Sequence, residues 1–144
     1  ETRKRLLPEI RKAMSASGSM RSFLRSKIHR ATVTQAELHY EGSLTMDSVL
    51  MREADILPGE EVRVWNVTRG TRFRTYAIEG QANSGVMCVN GAAAHLASAG
   101  DLIIVATFQW LTSNNLENYL PKVIFVDERN RVVGKRPEIP GPPC

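Results

Sequence analysis

The sequence predicts a mainly β protein, a small closed barrel with a few short helices. Three observations lead to this fold class. Polar and apolar residues alternate in several short segments, branched and aromatic side chains are concentrated in those segments, and turn-forming residues separate them. Many strands with few helices are typical of small barrels, which remove exposed strand edges by closing the sheet.

Predicted strands follow one another along most of the chain. Residues 32–34 and 38–40 flank a turn, and residues 61–67 alternate polar with apolar side chains, as a half-buried strand does. Runs rich in branched and aromatic residues predict further strands at 73–78, 85–90, 102–108 and 122–126. Turns between the strands are predicted at Pro58-Gly59, Arg69-Gly70, Asn90-Gly91 and residues 99–101.

Short helices are predicted at residues 47–54, 92–97 and 116–120. The first opens at Asp47, whose side chain can accept hydrogen bonds from the unpaired amides at the start of a helix. The helices are too few and too short to form a layer of their own, so they are expected to connect the strands.

Length and composition predict one soluble domain of ordinary size. The chain has 144 residues and is 42% hydrophobic, which is enough for a single core. Its two cysteines, Cys88 and Cys144, provide no disulfide framework, so we expect a reducing, cytoplasmic setting. No apolar stretch approaches the ~20 residues of a membrane span, and no membrane association is predicted.

Positive charge is concentrated at the N-terminal end. Residues 1–19 contain five basic and two acidic residues, so they carry +3 of the formal net charge of +4. The remainder lacks the basic face of a nucleic-acid-binding protein, and no nucleic-acid partner is predicted. We expect residues 1–19 to be a disordered extension, residues 20–133 to be the barrel domain, and residues 134–144 to be a Pro-rich tail.

The most informative segment is Glu41-Gly42-Ser43, together with its neighbours. On its own, Gly-Ser predicts only a turn. Lys27-x-His29 lies upstream, and the turn at Asn90 opens the string Asn-Gly-Ala-Ala-Ala-His downstream. The histidines have no cysteines or carboxylates at ligand spacing, so no metal is predicted. No Gly-rich phosphate-binding loop is present, so no pyridoxal phosphate is predicted either.

These segments, in this order, closely resemble the pyruvoyl-dependent aspartate 1-decarboxylases. The resemblance extends over residues 20–133 and rests on residues 27–43, 65–68, 72–78, 89–96 and 100–104. It implies a six-stranded double-psi β-barrel that assembles as a homotetramer, with a maturation factor needed in some lineages of the family. It also implies that the chain cuts itself between Gly42 and Ser43.

The implied reaction requires an electron sink, because loss of CO2 from an α-amino acid leaves a carbanion that no ordinary side chain can delocalise. By resemblance, Ser43 Oγ attacks the carbonyl of Gly42, and the residue that was Ser43 becomes a pyruvoyl cofactor. That cofactor binds L-aspartate as a Schiff base, and the products are β-alanine and CO2. The β-alanine enters pantothenate and coenzyme A biosynthesis.

The resemblance also assigns roles to residues around Ser43. Thr75 donates a hydrogen bond to the oxyanion formed during cleavage, and Tyr76 donates the proton to the carbanion. Arg72 and Lys27 bind the substrate carboxylates, for which the planar fork of arginine is well suited. Tyr40 and His29 are expected to border the cleavage loop and the pocket. The pyruvoyl oxygen or a substrate carboxylate is expected at the turn formed by Asn90, Gly91, Ala92 and Ala93.

Two functions of other classes remain open at this point. The first is an unprocessed, non-catalytic barrel that binds a ligand or partner and persists as one chain. The second is a nucleic-acid-binding module that uses the basic end and would show a steep salt dependence. Within the enzyme class, another small acidic amino acid also remains open as substrate.

Overall fold

The structure, a computed structural model, describes residues 8, 18–114, 116–139 and 141. The predicted extension at 1–19 lies outside the described residues except for residues 8, 18 and 19. From residue 18 onwards, the described residues form nine β-strands, a short α-helix and a 3₁₀-helix. The strands are β1 Met20–Thr32, β2 Gln35–Glu37, β3 Ser43–Asp47, β4 Glu61–Asn66, β5 Arg72–Gly80, β6 Met87–Asn90, β7 Leu102–Thr112, β8 Lys122–Val126 and β9 Val132–Lys135. The helices are α1 Ser48–Glu53 and the 3₁₀-helix Gly91–His95.

The nine strands belong to one sheet, in the order β2-β6-β3-β5-β4-β7-β1-β8-β9. The pairs β1/β8, β2/β6 and β3/β5 are parallel, and the other neighbouring strands are antiparallel. The prediction of a mainly β fold with few helices is therefore confirmed. The hydrogen-bonded order has two ends, β2 and β9, so the predicted closure into a six-stranded barrel is not confirmed.

The buried carboxylate of Asp47 starts α1 where the sequence predicts it. Its Oδ1 accepts a hydrogen bond from the amide of Val49 at 2.9 Å, which satisfies one of the free donors at the helix start. The same carboxylate accepts hydrogen bonds from the amides of Asn83 at 3.0 Å and Gly85 at 2.8 Å. One side chain thus connects the end of β3, the start of α1 and the loop between β5 and β6.

The predictions around the cleavage turn were displaced along the chain. β1 begins at Met20 and ends at Thr32, whereas the sequence predicted a strand only at 32–34. Residues 38–40 form a turn rather than a strand, with the amide of Tyr40 donating to the carbonyl of Glu37 at 3.3 Å. The polar first half of β1 shows no clear alternation, and it is β7, paired from Thr112 to Leu102, that makes it a strand.

The structure also differs from the sequence predictions near the C-terminal end. Residues 116–120 form a turn instead of a helix, with the amide of Tyr119 donating to the carbonyl of Leu116 at 3.0 Å. β9 extends to Lys135, inside the predicted tail, because β8 offers it a pairing edge. Among the described residues, none of the helices combines the length and apolar character that crossing a membrane requires.

β3, which begins at Ser43, and its neighbour β6 are deeply buried. Every residue of β6 and all but one of β3 are buried, and Leu44, Met46, Met87 and Val89 belong to the hydrophobic core. Burying an aliphatic side chain of this size contributes about 1.5–3 kcal/mol. Ser43, the first residue of β3, is therefore attached to a segment that the core holds firmly.

Candidate active site

Ser43 combines a strained backbone with a buried, unpaired hydroxyl. Its φ is +109°, a conformation that side chains other than glycine rarely adopt, and the residue is only 2% exposed. Its Oγ has no hydrogen-bond partner among the described residues. Strain of this kind costs on the order of 1–3 kcal/mol and is concentrated at functional sites. A buried hydroxyl without a partner is also unusual, so both features make Ser43 a candidate for a functional group.

The Asn90-Gly91 turn packs directly on the Gly42–Ser43 peptide. Ser43 is the antiparallel partner of Asn90, at the point where β3 begins and β6 ends. Gly91 has a φ of +70°, and a Cβ atom there would lie 2.8 Å from Gly42 Cα and 3.2 Å from the Tyr40 carbonyl oxygen. Only glycine permits so close an approach of two backbones. The structure thus brings four of the predicted site residues together, and Tyr40 borders them.

The carboxamide of Asn90 is occupied at both ends. Its Nδ2 donates to Thr45 Oγ1 at 3.0 Å, and its Oδ1 accepts from the Cys88 thiol at 3.1 Å. Burial, and secondarily the charge of Glu37, raises the pKa of Cys88, which keeps the thiol protonated and able to donate. The side chain of Asn90 is therefore held in place by both hydrogen bonds.

Cys88 and Thr45, which hold the side chain of Asn90, were not among the predicted site residues. The available signal was their spacing, because residues two apart on a strand share a face, and Cys88 lies two residues before Asn90. Ala92 is exposed and Ala93 half-buried, both in the 3₁₀-helix that follows Gly91.

Thr75 and Tyr76 lie on β5, next to the cleavage site but on opposite faces of the strand. β5 runs parallel to β3, and their pairing begins with Ala77 opposite Leu44, so Tyr76 and Thr75 directly precede the first paired residue of β5, as Ser43 precedes that of β3. Thr75 is half-buried, on the face that also carries the buried Ala77, whereas Tyr76 is 45% exposed. Thr75 thus faces the core side of β5, and Tyr76 faces the exposed side.

Arg72 shares the exposed face of β5 with Tyr76. It is paired across the sheet with Trp65 of β4, and its guanidinium carbon lies 6.0 Å from the centre of the Trp65 ring. Together with Arg63 and Arg74 they line a cleft of about 310 Å³. This concentration of arginines suits an anionic ligand, and Trp65, Arg63 and Arg74 are residues to which the sequence reasoning assigned no role.

Lys27 lies elsewhere in the sheet. It belongs to β1, which three strands, β7, β4 and β5, separate from β3. Its ammonium pairs with Glu138 and lines a cavity of about 520 Å³ with His29 and Phe125. Burial, followed by the charges of Lys27 and Arg30, lowers the pKa of His29 and keeps its ring neutral at pH 7. The structure therefore does not join Lys27 to the Ser43 site within one chain.

Comparison with known proteins identifies the family. The family model described as aspartate decarboxylase matches residues 19–133. The chain belongs to the aspartate decarboxylase family. The resemblance inferred from the sequence is thereby confirmed, and the family's region ends within β9, before Glu138. In the described part of the chain, no group of three or more histidine, cysteine or acidic side chains is placed to hold a metal ion.

Three named relatives in the aspartate decarboxylase family are similar over most of their length. The chain is 59% identical to the aspartate 1-decarboxylase of Myxococcus xanthus, over 85% of this chain and 95% of the relative. It is 57% identical to the aspartate 1-decarboxylase of Syntrophotalea carbinolica, over 84% and 92%. It is 54% identical to the aspartate 1-decarboxylase of Legionella pneumophila strain Lens, over 82% and 89%.

Proposed function

We propose that this chain is an aspartate 1-decarboxylase that matures by cutting itself between Gly42 and Ser43. It converts L-aspartate to β-alanine and CO2, and the β-alanine supplies pantothenate and coenzyme A biosynthesis. Family membership and the names of relatives 54–59% identical support the activity. The observation that carries the self-cleavage is the buried, unpaired Oγ of Ser43 on a strained backbone. The non-catalytic alternative is not favoured by these relatives.

The cleavage chemistry follows from the position of that hydroxyl. Ser43 Oγ bonds to the carbonyl carbon of Gly42, the Gly42–Ser43 amide bond breaks, and an ester replaces it. Elimination from the ester leaves Gly42 with a free carboxylate and turns residue 43 into dehydroalanine. One water then replaces the nitrogen of residue 43, which leaves as ammonia, and a pyruvoyl group remains. Relief of the strain at Ser43 favours the first step.

Thr75 and the turn at Gly91 support this chemistry in different ways. A hydroxyl donor from Thr75 to the developing oxyanion would lower the barrier by about 3 kcal/mol, the usual effect of one well-placed donor. Gly91 packs against Gly42 and limits the movement of the peptide that is attacked. The 42-residue fragment then ends beside the turn, with the new cofactor at the start of β3.

The surroundings of Ser43 fit a pyruvoyl group. Its future position is buried, next to the core residue Leu44, and lies opposite Asn90 at the Asn90-Gly91 turn. When formed, the group supplies a carbonyl that reacts with the substrate amine and accepts electrons as CO2 leaves. Arg72 binds a substrate carboxylate, and Tyr76, on the same face, donates a proton to Cα.

We further propose that the functional form is a homotetramer in the cytoplasm, with a sheet that closes into the six-stranded double-psi barrel. Support for closure comes from the three parallel pairs, each of which joins strands far apart in sequence. Support for assembly comes from Lys27, which lies three strands from Ser43, and from Tyr40, which is 68% exposed beside the cleavage peptide. A second chain would bring its Lys27 to the site. A maturation factor is a further possible partner.

Intact mass under denaturing conditions tests the proposal. We expect chains of 42 and 102 residues, and borohydride reduction with L-aspartate should add the substrate to the larger chain only. The control is Ser43→Ala, which should remain one chain close to 16.0 kDa and gain no adduct. A cleaved Ser43→Ala protein would refute the mechanism. A single wild-type chain that stays inert after heating would refute autonomous maturation.

A further inference from the structure

We propose that the segment after β9 competes with the substrate: the carboxylate of Glu138 occupies Lys27, and L-aspartate must displace it. The inference rests on the proposed function, because it takes Lys27 as a contact of the substrate carboxylate. It concerns a contact outside the region that the family model matches, which ends at residue 133.

The ion pair has one enclosed partner and one accessible partner. The side chain of Lys27 is 15% exposed, on β1 between β7 and β8, whereas that of Glu138 is 46% exposed. Glu138 is the more exposed partner, so it can leave towards solvent. The pair can therefore open by movement of the glutamate alone, which leaves the ammonium of Lys27 available to another carboxylate.

The segment is anchored on one side of Glu138. β9 pairs with β8 as far as Lys135, opposite Ile124. The guanidinium of Arg136 lies 4.0 Å from the centre of the Phe125 ring, and its backbone amide donates to the Val123 carbonyl at 3.4 Å. Beyond Arg136, the ion pair of Glu138 with Lys27 connects the segment to β1, and we call residues 137–139 the strap.

The chemistry of the contact is that of the substrate. Glu138 presents a carboxylate on a short methylene stem, as L-aspartate does with its side chain. The ammonium of Lys27 is a compact point charge that can bind either carboxylate. The neighbouring ring of His29 is neutral at pH 7, so it does not provide a replacement cation for the displaced group. Exposed ion pairs are weak, and an internal competitor of this kind raises the apparent KM only about twofold to fivefold.

Steady-state kinetics of the cleaved enzyme with Glu138→Gln test the competition. We expect the KM for L-aspartate to fall about twofold to fivefold with kcat unchanged, and the difference from wild type to shrink at ~0.5 M salt, where exposed charges are screened. Glu117→Gln is the matched control, since Glu117 is exposed and belongs to none of the ion pairs among the described residues. It should leave the KM unchanged.

An unchanged or increased KM in Glu138→Gln would overturn the proposal, and an increase would mean that Glu138 holds Lys27 ready for the substrate. The fall in KM caused by Glu138→Gln should also disappear when Lys27→Gln is already present. Succinate binding, measured by calorimetry, tests the competition at Lys27 separately from decarboxylation. Succinate has two carboxylates, as L-aspartate does, but no amine with which to form a Schiff base. Glu138→Gln should lower the Kd of succinate by the same factor even in an inactive preparation, and an unchanged Kd would refute the strap.

Discussion

Replacing Gly91 with alanine tests whether the Asn90-Gly91 turn positions the peptide that is cut. Gly91 has a φ of +70°, and an added Cβ would lie 2.8 Å from Gly42 Cα and 3.2 Å from the Tyr40 carbonyl oxygen. Those neighbours are backbone atoms, so no side-chain rotation relieves the contact. Gly70 is the matched control: its φ is +76°, and an added Cβ would have no atom within 4 Å.

Both substitutions place an alanine in a left-handed backbone conformation, but only Gly91→Ala also overpacks its surroundings. A left-handed conformation costs an alanine about 1–2 kcal/mol, and the loss of unfolded-chain entropy offsets about 0.4–1 kcal/mol of this. Gly70→Ala should therefore destabilise the fold by about 1 kcal/mol. Carbon atoms pack best at about 3.5–4.0 Å, so Gly91→Ala adds an overpacking cost of about 1–3 kcal/mol. Relief requires a backbone shift at Gly42, and a displacement approaching 1 Å can slow a reaction about 100-fold.

Two assays measure these effects separately. Urea unfolding in a Ser43→Ala background keeps each protein as one uncut chain, and a constant protein concentration removes the effect of assembly. Gly91→Ala should unfold with about 1–3 kcal/mol less stability than Gly70→Ala. The rate of self-cleavage, followed by intact mass with Ser43 present, should fall at least tenfold in Gly91→Ala. Equal stability of the two variants together with wild-type cleavage of Gly91→Ala would refute the positioning role.

Two further predictions concern turnover and pH. Tyr76→Phe should still be cut into two chains but should decarboxylate L-aspartate with a kcat reduced about 100-fold or more, because only the proton donor is removed; equal loss of cleavage would instead give Tyr76 a structural role. Burial acts to raise the pKa of Asp101, but hydrogen bonds from Asn66, Ser98 and Arg69 outweigh it and lower that pKa. The charged form of Asp101 therefore stabilises the fold at pH values above its unfolded-state pKa of about 3.9. This stability is lost as the pH falls through the lower pKa of the folded state. Asp101→Asn should unfold in less urea than wild type at pH 7, and the difference should narrow below pH 4; a constant difference would contradict this.

Local sequence patterns predicted the parts of the fold that local forces control. The strand at residues 122–126 has the predicted bounds, and α1 starts after Asp47 as expected from its capping side chain. β1 was largely missed, because its first residues are polar and become a strand through pairing with β7. β9 was also missed, because it is a short edge strand that forms by pairing with β8.

The candidate site shows the same division. The motifs around Ser43 and Asn90 pointed to one site, and the structure places these residues opposite each other at the junction of β3 and β6. The roles of Thr75, Tyr76 and Arg72 stay predictions, although their strand lies beside β3. The contact of Lys27 with Glu138 had no signal in the sequence, because it joins the first strand to a segment predicted to be a tail.

The sequence by itself determined the family and the mainly β character, and it predicted Ser43 as the reactive serine. These follow from residue types and their order, which are local information that chain packing does not alter. The tertiary structure alone decided the strained backbone of Ser43, the close packing of Gly91 on Gly42 and the capture of Lys27 by Glu138. Each of these depends on segments far apart in the chain, and their approach is fixed by burial of the shared core and by strand register, which no single segment specifies.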